Sequence, residues 1–169
     1  MTRAVVHIAS SRLGTIRVPE ADLLRFPGLP GFPGARRFAL VEHDHRGIFG
    51  WLVSADLPEL AFVVTNPWNF VPDYDPAVPE RALRGLDAQS LDELEVLAIA
   101  AFEGDRIFLN LAAPLLVNPK SRSALQVILD GDTWSTRQPI PPPSPTGDGE
   151  PAEGAGDADV RPESGGGST

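Results

Sequence analysis

The chain has no cysteine, one methionine and one tyrosine in 169 residues. Without cysteine there is no disulfide scaffold, no thiolate metal site and no thiol nucleophile, so the fold must rest on its core. No stretch reaches the roughly 20 consecutive apolar residues that a membrane-spanning helix needs. The first residues, MTRAVVHIASSRLG, carry too short an apolar run for a secretory signal and no small-residue cleavage site after one. Basic residues are scarce, 14 Lys and Arg against 23 Asp and Glu, and no basic stripe is present. Arg36-Arg37-Phe38 is the one basic segment beside an aromatic. Phosphate backbones would be repelled, which argues against direct nucleic-acid binding.

What is present is 42 % hydrophobic residues, 16 glycines and 18 prolines, ordinary for a single globular domain apart from the proline. The order-breaking residues concentrate after Ile140. Residues 141–169 contain no aromatic, one large aliphatic (Val160), six acidic residues and one basic one, too little apolar area to offset the entropy of ordering the segment. The expected organisation is a folded domain over 1–140 and a disordered acidic tail over 141–169. The tail accounts for −5 of the formal charge of −9 and the domain for −4.

Within the domain, short apolar runs separated by turn residues predict strands at 4–9, 13–18, 38–42, 48–54, 60–65, 96–102, 107–111, 115–118 and 125–129. The first two join through Ser10-Ser11-Arg12 as a hairpin. Only 79–84 and 90–94 read as short helices, the second with a Ser-x-x-Glu capping signature. The fold class expected is mainly β, a small antiparallel barrel-like domain with one or two short helices. The segment Phe26-Pro27-Gly28-Leu29-Pro30-Gly31-Phe32-Pro33-Gly34 can be neither helix nor regular strand. It reads as a fixed loop held by its two phenylalanine rings.

Motifs that could carry chemistry each have a plainer explanation. His43-Asp44-His45 lies between two strands and runs into Arg46-Gly47, the composition of a hairpin tip, and no third ligand cluster accompanies it. The glycines from Gly28 to Gly34 lack the Lys-Ser/Thr of a phosphate loop, and the prolines remove backbone donors. Asp73-Tyr74-Asp75 and Asp130-Gly131-Asp132 do not continue as calcium loops. No nucleophile elbow or paired carboxylate stands out. The expectation is a protein that is not an enzyme and needs no cofactor or metal. Asn66-Pro67-Trp68-Asn69-Phe70-Val71-Pro72-Asp73-Tyr74 gathers three aromatics between prolines, the residue types from which protein interfaces draw their anchors. The alternative is that this loop closes one end of the barrel.

In order along the chain, these segments resemble those of the FliW family over residues 3 to 140. The blocks are Phe26-Pro27-Gly28-Leu29-Pro30-Gly31-Phe32, one residue shorter than the family's loop; Trp51-Leu52; Asp56-Leu57-Pro58-Glu59-Leu60-Ala61-Phe62-Val63-Val64; Asn66-Pro67 followed by Phe70-Val71-Pro72-Asp73-Tyr74; and Asn110-Leu111-Ala112-Ala113-Pro114-Leu115-Leu116-Val117-Asn118 with Lys120, Gln126 and Ser135-Thr136-Arg137. Trp134 stands where the family usually has tyrosine, and Gln138 where histidine is common. The resemblance implies a cytoplasmic β-barrel-like assembly factor whose partners are flagellin and the RNA-binding translational regulator CsrA. It further implies that the protein relieves CsrA repression of flagellin mRNA. A small barrel binding another protein or a small ligand is the alternative. For partner contact we single out Asn66, Trp68, Phe70, Asp73 and Tyr74, with Asp56 and Glu59 expected nearby.

Overall fold

The computed structural model describes residues 4–42 and 47–141. The histidine tip at 43–46 and the tail from 142 onward lie outside the described residues.

The opening hairpin forms as its sequence predicts. Strands β1 (Val5–Ser10) and β2 (Gly14–Pro19) pair antiparallel from Val5 opposite Pro19 to Ser10 opposite Gly14. Ser10 Oγ accepts the backbone N–H groups of Arg12 and Leu13, both at 3.2 Å, and Gly14 takes φ +73°, which an L side chain resists. Alternation places Ile8, Ile16 and Val18 on the inner side, where they pack over Leu23, Ala39 and Val53.

The remaining strands are β3 (Leu24–Arg25), β4 (Arg37–Glu42), β5 (Phe49–Ser54), β6 (Ala61–Thr65), β7 (Glu95–Glu103), β8 (Arg106–Val117), β9 (Ala124–Gln126) and β10 (Gln138–Ile140). They form one antiparallel sheet in the order β10-β8-β7-β6-β5-β4-β3, with β9 also on β8. The sheet curls until its ends meet: Arg25 bridges Ser123 in parallel, and Arg25 N–H donates to Arg122 O at 2.9 Å. Arg122 makes the closure at φ +65° while its Nη2 donates to Asp22 O at 2.7 Å. Inside lie Leu24, Phe26, Phe38, Leu52, Leu115 and Val117, all at most 4 % exposed. A second core, on the sheet's other face, packs Leu109, Leu111 and Leu116 against Tyr74, Leu86 and Leu94.

Three expectations need correction. The runs at 107–111 and 115–118 form one strand, β8, which passes through Pro114. Between Leu97–Leu115 and Ile99–Asn110, β7 advances two residues while β8 advances five, so Pro114 sits in a bulge that asks nothing of its missing N–H. The last run is shorter as a strand, Ala124–Gln126, although Val127 and Leu129 still donate to Pro114 O and Ala112 O. Residues 90–94 form only a 3₁₀ turn, Leu91–Glu93, in which the Ser90 side chain makes no cap bond. Leu94 is already buried at the entrance to β7, which leaves no room for a helix. The other helix is present as α1 (Glu80–Gly85).

In the loop between β3 and β4, Phe26 is buried edge-on to Phe38 at 5.1 Å, whereas Phe32 is 40 % exposed against Phe62. One ring anchors the loop inside the barrel and the other rests on its rim. Gly28 has φ +121°, and a Cβ there would approach Pro33 O at 2.9 Å. Gly28→Ala should therefore cost about 1–3 kcal/mol, read as a lower urea midpoint at unchanged slope.

Candidate functional site

The segment between β6 and α1 is built from its first residue. Asn66 Oδ1 accepts the N–H of Trp68 at 2.9 Å, and Pro67, whose missing donor costs nothing at a first helical position, starts the single 3₁₀ turn Pro67–Asn69. The turn carries Trp68 and Phe70 onto the core. Trp68 Nε1–H donates to Tyr74 O at 2.8 Å, and Phe70 stacks on Phe49 at 5.7 Å. Tyr74 is 3 % exposed, with its ring 4.8 Å from Trp134 and 5.7 Å from Trp68. Its hydroxyl donates to Leu111 O at 2.7 Å, inside the β8 bulge. Burial pushes the phenol pKa well up, so the group stays a neutral donor.

Tyr74, singled out from sequence as a contact residue, is thus a core residue. Asn66, Asp73 and Glu59 are exposed, and Trp68, Phe70 and Asp56 are half-buried. The candidate residues do not form one cluster. Asp56 and Glu59 lie in the β5–β6 turn and Asn66–Tyr74 follows the opposite end of β6, so the five residues of that strand, about 3.3 Å each, separate them.

Asp56 has a local task. Its Oδ2 accepts the N–H groups of Arg36 and Arg37 at 2.9 and 2.8 Å, and Oδ1 accepts Arg37 Nε at 3.1 Å. Burial pushes the carboxyl pKa up, but these bonds and the Arg37 charge more than offset it and the net shift is downward from 3.8. The carboxylate therefore adds stability that is present above pH 3.8 and is lost as pH falls through the lowered value. Asp56→Ala should cost about 1–3 kcal/mol at neutral pH and flatten the acid limb of stability against pH, a slope that equilibrium unfolding would measure.

Among the described residues there is no group of three or more His, Cys, Asp or Glu placed to hold a metal. The other shifted groups are Glu103, lowered chiefly by its bond from Arg137, and Arg137, raised chiefly by the same bond. That bidentate pair, at 2.8 and 3.0 Å, ties the lead-in of β10 to the β7–β8 turn. It is exposed.

Two surface depressions flank Phe62. One, of about 460 Å³, is lined by Arg12, Trp51, Val63, Ala100 and Phe102; the other, of about 400 Å³, by Leu29, Phe32, Ile99, Asn110 and Ile128. Sequence reasoning did not single out Phe102 or Ile128, which are 49 % and 64 % exposed. The signal was present for Ile128: in Leu125-Gln126-Val127-Ile128-Leu129 a two-residue period that buries Val127 and Leu129 must turn Ile128 outward.

A family model described as FliW protein matches residues 7–140. The chain is 41 % identical over 140 residues to flagellar assembly factor FliW 2 of Desulfotalea psychrophila, covering 80 % of this chain and 91 % of that one. It is 32 % identical over 142 residues to flagellar assembly factor FliW of Heliobacterium modesticaldum, covering 82 % and 93 %. The crystal structure of a flagellar assembly factor FliW superposes with a TM-score of 0.74 at 28 % identity, over 81 % of this chain and 98 % of that one. The sequence blocks, the curled sheet that they build and these matches agree: the chain belongs to the FliW family.

Proposed function

We propose that this protein is a cytoplasmic flagellar assembly factor that binds CsrA or flagellin in turn, and that it relieves CsrA repression of flagellin mRNA when flagellin is scarce. It acts by protein contact, without catalysis, cofactor, membrane insertion or direct contact with nucleic acid. The main support is the family match, which spans nearly all of the described domain. The acidic balance suits a basic, RNA-binding partner through steering and complementarity. The contact surface we assign is the outer side of the Asn66–Tyr74 turn, with Asn66 and Asp73 as its polar groups and the half-buried Trp68 and Phe70 behind them.

Titration calorimetry with CsrA, alone and after saturation with flagellin, tests the switch. Heat of binding that disappears in the presence of flagellin is the expected result. Undiminished heat would end the alternation, and no binding to either partner would end the reading. Asp73→Ala should weaken CsrA binding by about 1 kcal/mol without moving the unfolding midpoint; unchanged affinity would remove this turn from the contact. A second reading, a module for another protein or a small ligand, has the two depressions beside Phe62 in its favour, and binding to neither flagellar partner would bring it forward.

A further inference from the structure

We propose that the depression between Phe32 and Ile128 seats an uncharged, extended peptide segment of a partner protein, with one large aliphatic side chain on its floor and the adjoining backbone amide held by the side chains of Asn110 and Gln126. The site is separate from the Asn66–Tyr74 turn and does not rest on the flagellar reading. Its polar groups originate in the β8 bulge. Ala113 has no paired residue in the β7 or the β9 ladder, so two side chains satisfy its backbone. Ala113 N–H donates to Asn110 Oδ1 at 3.1 Å, and Gln126 Nε2 donates to Ala113 O at 3.0 Å. A main-chain N–H and C=O cannot exchange roles, so both carboxamides are fixed in orientation and each turns its other end away from Ala113. Asn110 Nδ2 and Gln126 Oε1 have no hydrogen-bond partner among the described residues, and neither atom is sealed from solvent.

Both side chains line the depression together with Phe32, Phe62, Ile99 and Ile128. One offers a free N–H and the other a free carbonyl oxygen, the complement of a peptide C=O and N–H. A helical segment keeps those groups for its own ladder, whereas an extended one leaves them free to bind. The apolar part of the site is the place where the inner core of the curled sheet reaches the surface. Phe62 and Ile99 are half-buried against that core. Phe32 meets Phe62 edge-on at 6.4 Å and is 40 % exposed, and Ile128, two residues beyond Gln126 and therefore on its side of the chain, is 64 % exposed. No charged side chain lines the depression, although the chain carries 14 basic and 23 acidic residues. A charged segment would lose hydration there with nothing in return, while an uncharged one would cover the rings and meet both amide ends. The volume, about 400 Å³, has room for one large side chain and its flanking peptide groups.

The test is an NMR titration of the isotope-labelled full chain with the blocked peptide acetyl-Ala-Leu-Ala-methylamide. The expected result is that the side-chain NH₂ signals of Asn110 and the amides of Phe32 and Ile128 shift on one saturating curve, while Leu86 and Ala88 stay in place. The same peptide with its leucine N–H replaced by an ester oxygen should bind about fivefold more weakly, because Gln126 Oε1 then meets no donor. Asn110→Asp keeps the acceptor for Ala113 N–H and loses the outward donor, and should weaken the parent peptide by about fivefold or more. Ile128→Ser should also weaken it by about fivefold, with the unfolding midpoint unchanged because the side chain is mostly exposed. Absence of any shift up to the solubility of the peptide, shifts spread evenly over the surface, equal affinity for peptide and ester, or full affinity in either variant would overturn the proposal. So would shifts at Asn110, Phe32 and Ile128 on diluting the protein alone, since the occupant would then be a second copy.

Discussion

Tyr74→Ala will lower the unfolding free energy by about 3–5 kcal/mol, a large part of the 5–15 kcal/mol typical of a domain. The substitution removes a ring that is 3 % exposed and packed between Trp68 and Trp134. It also strands Leu111 O, in a bulge where β8 has left its partner β7. Tyr74→Phe separates the two contributions. It keeps the ring and loses only the hydroxyl bond, for about 1–2 kcal/mol, and should leave affinity for CsrA, the proposed partner, unchanged. Denaturant unfolding of both variants measures the stability effects. A Tyr74→Phe protein of full stability that fails to bind would show that the hydroxyl faces a partner and not the bulge.

Phe38→Ala should be equally costly, about 3–5 kcal/mol, and its effect should travel. Phe38 is fully buried inside the curled sheet and receives the edge of Phe26 at 5.1 Å. Phe26 is the inner anchor of the loop that ends at Gly34, and its N–H donates to Arg36 O at 2.7 Å. Opening a cavity beneath that ring should raise hydrogen exchange at Phe26, Leu29 and Phe32, the N–H groups that close the loop. A uniform loss of protection across the sheet would instead mean that the loop and the barrel unfold as one unit.

The sequence made the regular parts of this fold legible and left the junctions dark. Strands β1, β2 and β4 to β6 follow from short apolar runs and the turn residues between them, because each pairs with a neighbour in the chain. The apolar runs divide strand β8 in two around Pro114, a residue that normally ends a strand; only its partner's register reveals the bulge that tolerates it. Tyr74 looked exposed because it stands in Pro-Asp-Tyr-Asp-Pro, yet the acceptor that draws it inward, Leu111 O, is 37 residues away. Closure at Arg25 and Ser123 was invisible for the same reason, being a contact across nearly a hundred positions. Asp56 and Glu59 are close to Asn66 in sequence, and the extended strand β6 between them turns that closeness into distance.

Pro139 occupies the middle of β10, the outermost strand of the described sheet on that side. An edge strand normally offers a row of donors on which a foreign strand can template. The proline interrupts that row, while the Arg137–Glu103 pair places charge immediately before it. For a protein whose proposed work is to meet other chains through side chains, this edge guards against the wrong kind of meeting. It discourages growth of one sheet into the next, so crowding should favour specific complexes over fibrils.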